Sequence, residues 1–247
     1  MGESRRFAIA ATPDGVSGHN SVLVRMALPG QYVDLSAHVL TSYIILMSLG
    51  SDNASFEALL SAVRACRVCE AHLPLGPRPI LQASATARIL VVGQAPGARV
   101  HRSGIPWDDP SGERLRAWMG VSKDEFYDAS RVAIIPMGYC YPGRGNGGDL
   151  PPRRECAQLW LGKLLARLPR IESTLLIGQH AQRHFLGKRR QRTLTQTVGA
   201  WRDYAPRYFP LPHPSPRNTP WLQRNAGFER GLLPTLRVHV NTLLARR

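Results

Sequence analysis

The chain has 247 residues, with 32 Lys and Arg against 17 Asp and Glu, a formal charge of +15 at neutral pH. Hydrophobic residues make up 43% and charged residues 20%, enough for a buried core; a disordered basic tail, a collagen-like or coiled-coil rod and a disulfide-stapled miniprotein are excluded. By length it is one large domain, or one domain with an appendage, because domains commonly run to about 100–200 residues.

The charge has a location. Residues 1–54 hold three Arg (Arg5, Arg6, Arg25) against four acidic residues (Glu3, Asp14, Asp34, Asp52), whereas the rest of the chain holds 29 basic and 13 acidic residues. Such an excess on a globular body favours a polyanion, most simply nucleic acid; by composition alone, the Arg-rich coding of a high-GC genome explains it equally well. No run approaches the roughly 18–20 apolar residues of a membrane span, and the N-terminus lacks the basic and apolar regions of a secretory signal. The expectation is a cytoplasmic monomer with no membrane association.

Residues 1–54 show Gly, Ser and Asn punctuation, weak alternation over 21–27 and a β-branched run over 41–46, and read as an N-terminal extension of uncertain order. From Ser55 the pattern sharpens. Phe56, Leu59, Leu60 and Val63 fall at helical spacing behind a Ser cap, with Glu57 in the first turn, so a helix is predicted that runs into Cys66. Four short apolar runs then predict buried strands: Ile89–Val92, Val132–Ile135, Thr174–Ile177 and Tyr208–Leu211. Helical patterns occupy Gly112–Met119, Arg154–Leu168, His180–Leu186 and Phe228–Leu244.

This alternation predicts an α/β fold over residues 55–247: a three-layer α/β/α sandwich with a central, mainly parallel four-stranded sheet. Ligands in such sheets bind outside the carboxyl ends of the strands. Each predicted strand runs there into a Gly- or Pro-containing loop: Gly93-Gln94-Ala95-Pro96-Gly97, Pro136-Met137-Gly138, Gly178-Gln179 and Pro212-His213-Pro214. The first has neither the glycine spacing nor the lysine of a P-loop, which disfavours nucleotide hydrolysis.

Two further segments carry chemistry. In Gly104-Ile105-Pro106-Trp107, a tryptophan is held in a rigid loop, either as a packing anchor or as a platform for a flipped base, a contact of about 1–3 kcal/mol. In Pro212-His213-Pro214-Ser215-Pro216-Arg217-Asn218, alternating prolines hold a His and an Arg outward at a strand end. The cysteines read Cys66-x2-Cys69, Cys140 and, sixteen positions on, Cys156. The wide second spacing fits an iron–sulfur cluster better than zinc, with unrelated thiols as the alternative.

Together these segments resemble the uracil-DNA glycosylase superfamily, most closely its iron–sulfur class, often called family four. The matches occur in that class's order: Cys66 and Cys69, Gly93 to Gly97, Gly104-Ile105-Pro106-Trp107, Cys140, Cys156, and His213-Pro214. The resemblance covers about residues 55–247. It implies a glycosylase that flips a deaminated base out of single- or double-stranded DNA and hydrolyses its N-glycosidic bond. By that resemblance Cys66, Cys69, Cys140 and Cys156 ligate a structural 4Fe-4S cluster, with zinc or no metal as alternatives. Trp107 stacks on the base and His213 donates a hydrogen bond to the uracil oxygen that gains charge. Gly93, Ala95, Pro96, Gly97 and Met137 form the pocket wall, and Ser215 and Arg217 enter the gap left by the flipped nucleotide.

The departures define the open questions. Gln94 replaces the family's acidic residue, and Pro136 stands where the family carries its uracil-reading Asn, so Gln94, Asn218 or backbone groups must read the base. Asp108 and Asp109 are candidates for positioning water, and equally for capping the helix that follows. A catalytically inactive iron–sulfur DNA-binding member is the rival reading.

Overall fold

A computed structural model describes residues 23–28, 31–36 and 55–246. The chain divides into two compact units at the boundary between Ala58 and Leu59. In the first unit, β1 (Leu23–Leu28) pairs antiparallel with β2 (Gln31–Ser36), with Leu28 opposite Gln31. The alternation over residues 21–27 falls largely on β1, and the β-branched run over 41–46 lies outside the described residues.

The second unit contains β3 (Ile89–Val92), β4 (Val132–Ile134), β5 (Arg144–Gly145), β6 (Gly148–Asp149), β7 (Ser173–Ile177) and β8 (Tyr208–Leu211). The main sheet has the order β4-β3-β7-β8, and every neighbouring pair is parallel. Its strands are continuous apolar runs because both faces are covered. Ile89, Val91, Leu175, Ile177, Phe209 and Leu211 pack in one buried cluster with Leu115, Met119, Leu236 and Val240 of two helices. The alternate residues Leu90, Val92 and Leu176 point to the other face and are equally buried. The fold is the three-layer α/β/α sandwich read from the sequence, with a fully parallel central sheet.

From β3 the chain moves out to the edge strand β4 and then crosses back past β3 to β7 and β8. That reversal is a topological switch point, where a crevice opens beyond the strands' carboxyl ends.

The helices begin and end close to their expected bounds. The first covers residues 55–64, with Phe56, Leu60 and Val63 buried. The others are Pro110–Met119, residues 154–165 with a π-turn over Ala157–Leu161, Gly178–Leu186, and residues 228–245 opening on a π-turn over Phe228–Leu232. Sequence patterning missed four short helices: Ala98–Ser103, Lys123–Tyr127, Leu194–Gly199 and Thr219–Arg224. Two of them carry reciprocal capping boxes, Ser122 with Glu125 and Thr193 with Gln196. That Ser/Thr-x-x-Glu/Gln spacing is legible in sequence even where too few residues exist to show a period. No helix among the described residues is long and apolar enough to cross a membrane.

Candidate active site

The loop after β3 and the tryptophan loop are built around each other. Trp107 has φ 58°, the only positive φ outside glycine among the described residues. An aromatic residue in that region stores about 1–3 kcal/mol of strain, which its surroundings must over-determine. Several contacts do so. Tyr127 donates its hydroxyl to the Pro106 carbonyl at 2.9 Å, and Arg116 Nη1 donates to the Trp107 carbonyl at 3.4 Å. Asp109 Oδ1 accepts from the Gly112 amide at 2.8 Å and caps the helix Pro110–Met119.

Two glycines make room for this tryptophan. A Cβ on Gly93 would lie 2.7 Å from Trp107 Cζ2, and one on Gly112 would lie 1.7 Å from the Trp107 carbonyl oxygen. The second contact is with backbone, which cannot swing aside. Gly112→Ala is therefore expected to destabilise the fold by about 3 kcal/mol, read as a lowered denaturant midpoint at unchanged m-value.

The last strand supplies the histidine. Gln182, buried, donates to the carbonyls of Leu176 and Leu211 at 3.3 and 2.9 Å and so joins the ends of β7 and β8. Beyond that point Asn218 Nδ2 donates to the His213 carbonyl at 2.7 Å and Arg114 Nη1 to the Ser215 carbonyl at 3.1 Å. The Ser215 amide donates to His213 Nδ1 at 3.2 Å, which leaves the other ring nitrogen as the proton-bearing donor. The rings of Trp107 and His213 stand 5.6 Å apart, centroid to centroid, inclined at 34°.

Burial lowers the His213 pKa from its ordinary 6.5, with the Asp109 carboxylate opposing the shift. A group whose pKa is depressed stays neutral further into acid. Protonation of His213 is thus expected to leave the rate untouched as pH falls through 6.5 and to reduce it only below the depressed value. A rate–pH profile checks this, and an acid limb centred at or above 6.5 contradicts it.

Trp107 and His213 line a cavity of about 260 Å³, together with Gly93, Gln94, Ala95, Pro96 and Gly97. Ser215 and Arg217 complete one side, and Asp109, Ser111, Pro136 and Asp149 also reach the wall. Three nominated residues do not line it. Asp108 lies outside it, whereas its neighbour Asp109 lines it. Met137 is buried, bonded through its amide to the Gly93 carbonyl at 2.9 Å. Asn218 braces the histidine loop rather than reaching the cavity. Gln94 lines the wall, but its amide donates outward to the Leu150 carbonyl at 3.0 Å. Asp149 and Ser111 were missed. For Asp149 the signal was the Gly145-Asn146-Gly147-Gly148 stretch, a hairpin turn signature.

The sequence model of the uracil DNA glycosylase superfamily matches residues 81–237, a span that contains every cavity-lining residue except Ile80. The chain belongs to this superfamily. Its members typically hydrolyse N-glycosyl bonds in DNA. Within a uracil DNA glycosylase fold, an aromatic platform facing a hydrogen-bond donor suits a flipped base, since an extruded base is held by stacking and read at its edge. Pro136 forms part of this superfamily member's cavity wall and offers no side-chain hydrogen bond.

The four cysteines are free thiols, three of them buried, and they gather in one region. Cys140 senses the charges of Cys66, Cys69 and Cys156, and burial pushes its pKa up to about 12; burial pushes Cys156 up to about 11. Trp160 Nε1 approaches Cys66 Sγ at 3.4 Å. The Tyr139 hydroxyl, buried beside Cys66 and Cys156, has no hydrogen-bond partner among the described residues. Among the described residues no three His, Cys, Asp or Glu side chains converge to hold one ion. A buried hydroxyl with no partner among the described residues, beside buried thiols, is chemically suited to a group that would present sulfur acceptors.

Proposed function

We propose that this protein is a monofunctional DNA glycosylase that hydrolyses the N-glycosidic bond of uracil or a related deaminated base, leaving an abasic site. The observation that carries the reading is the pair of Trp107 and His213, their rings 5.6 Å apart, in one cavity at the carboxyl ends of the strands. Stacking on Trp107 holds the extruded base. As the glycosidic bond breaks, the base gains negative charge, and the ring N–H of His213 donates to the oxygen that bears it. A donor fixed in advance at a developing oxyanion stabilises the transition state more than the ground state. The basic surface supplies phosphate contacts, so DNA affinity should weaken steeply with salt.

The cysteine region completes the reading. Cys66, Cys69, Cys140 and Cys156 would hold a 4Fe-4S cluster, which when bound would tie the segment after the first helix to the segment after β4. Tyr139 would donate its hydroxyl there.

The test is an end-labelled oligonucleotide carrying deoxyuridine, deoxyinosine or deoxyxanthosine, as single strand and duplex, treated with the protein and then with alkali. Cleavage at the modified position supports the reading; intact DNA in every case refutes it. Pro136, together with the outward-turned Gln94 amide, favours one rival, an inactive member that binds DNA. Salt-sensitive binding with no base release would establish that rival.

A further inference from the structure

The hairpin β5–β6 is pressed against the cavity from two sides. Gln94 donates to the Leu150 carbonyl at 3.0 Å, and Arg217 Nη1 donates to the Gly147 carbonyl at 3.4 Å. At its base the Leu150 amide donates to the Gly143 carbonyl at 2.9 Å. The hairpin thereby delivers Asp149 into the wall, with Oδ2 3.4 Å from the point where a side chain on Gly97 would begin. Gly97 is the residue that lets this carboxylate approach the loop after β3.

Two carboxylates line the cavity, and they are not equivalent. Asp109 spends Oδ1 on the Gly112 amide as a helix cap. Asp149 faces the charges of Arg217, Arg144 and Asp109, and no described residue donates a hydrogen bond to its carboxylate. Its oxygens are therefore available to whatever occupies the cavity.

We propose that Asp149 is the catalytic carboxylate that orients and deprotonates the attacking water. This rests on the glycosylase reading above. The water oxygen forms the new bond to C1′ of the deoxyribose as the C1′–N bond breaks. The bonding pair leaves with the base, whose oxygen accepts a hydrogen bond from His213, and the water proton passes to Asp149. That proton then returns through solvent to the departed base nitrogen, so water is the only co-reactant. The carboxylate also offsets the positive charge that builds on the sugar. Burial raises the Asp149 pKa from its ordinary value, with Arg217 and Arg144 opposing the shift and Asp109 adding to it, which makes it a stronger base toward water.

The experiment measures single-turnover release of the base that the wild-type protein removes, with DNA affinity followed in parallel by fluorescence anisotropy. Asp149→Asn is expected to slow release by about 10²-fold or more with affinity unchanged, the range of a lost general base. In Asp149→Ala, sodium formate is expected to restore about tenfold of the loss, because a small carboxylate can re-enter the vacated space. Formate rescue separates a catalytic role from a structural one. Release by Asp149→Asn within about threefold of wild type, or no formate rescue, overturns the proposal while His213→Ala still reports on the glycosylase reading. If the wild-type protein releases no base at all, both readings fall together.

Discussion

His213→Ala is expected to slow base release by about 10²–10³-fold while leaving DNA affinity close to wild type, the loss typical of one oxyanion donor. The expectation follows from how the ring is held. Its Nδ1 accepts from the Ser215 amide and its carbonyl accepts from Asn218, so the imidazole is fixed in orientation and tautomer before any substrate arrives. Preorganisation of this kind contributes to the rate because no rearrangement is needed when charge develops. Removing the ring leaves Trp107 and the basic surface in place, so binding persists. His213→Gln, which keeps an N–H donor, should recover part of the rate, whereas a purely structural histidine would show no such ranking. Full activity in the alanine variant removes His213 from the mechanism.

A second large effect is expected at the cysteines. Protein prepared without oxygen should be brown, with about four irons and four acid-labile sulfides per chain. Cys140→Ser should lose most of that iron, and its thermal midpoint should fall by roughly 5–10 °C, about 3 kcal/mol in a unit of this size. The reasoning lies in the burial of these thiols. Cys69, Cys140 and Cys156 have almost no solvent exposure, and burial and mutual repulsion oppose their ionisation. As ligands these thiols would have to ionise, and several thiolates in one buried region would need a strongly positive centre to compensate them. Colourless protein containing zinc, or protein with no metal and an unchanged midpoint in Cys140→Ser, refutes the assignment.

Much of the architecture was legible because each sheet strand is buried on both faces and so appears as an unbroken apolar run. The loops at the strand ends were legible for a related reason: glycine and proline mark where the chain must turn or approach closely, as at Gly93 and at Pro212 to Pro216. Asp149 was legible only as the neighbour of a hairpin turn, not as a residue of the cavity. It sits in a two-residue strand of a small hairpin, too short to show any period, and its place in the cavity depends on Gln94 and Arg217 reaching it across the fold. The choice between Asp108 and Asp109 was equally closed to sequence. Adjacent carboxylates look alike in one dimension, and only the direction of the helix that follows decides which one turns inward.

The order of the sheet has a consequence for how the protein comes into being. β8 is its last strand and lies at its edge, paired among the described residues only with β7. Leu211 of β8 and Leu236 and Val240 of the last helix lie in the same buried cluster as Ile89 and Val91, so the core closes only once the chain beyond β8 has been made. His213 then comes to Trp107 as β8 adds to the open edge. A growing or clipped chain that ends before β8 lacks this part of the core together with the histidine, and is expected to stay unfolded rather than to stand half-built.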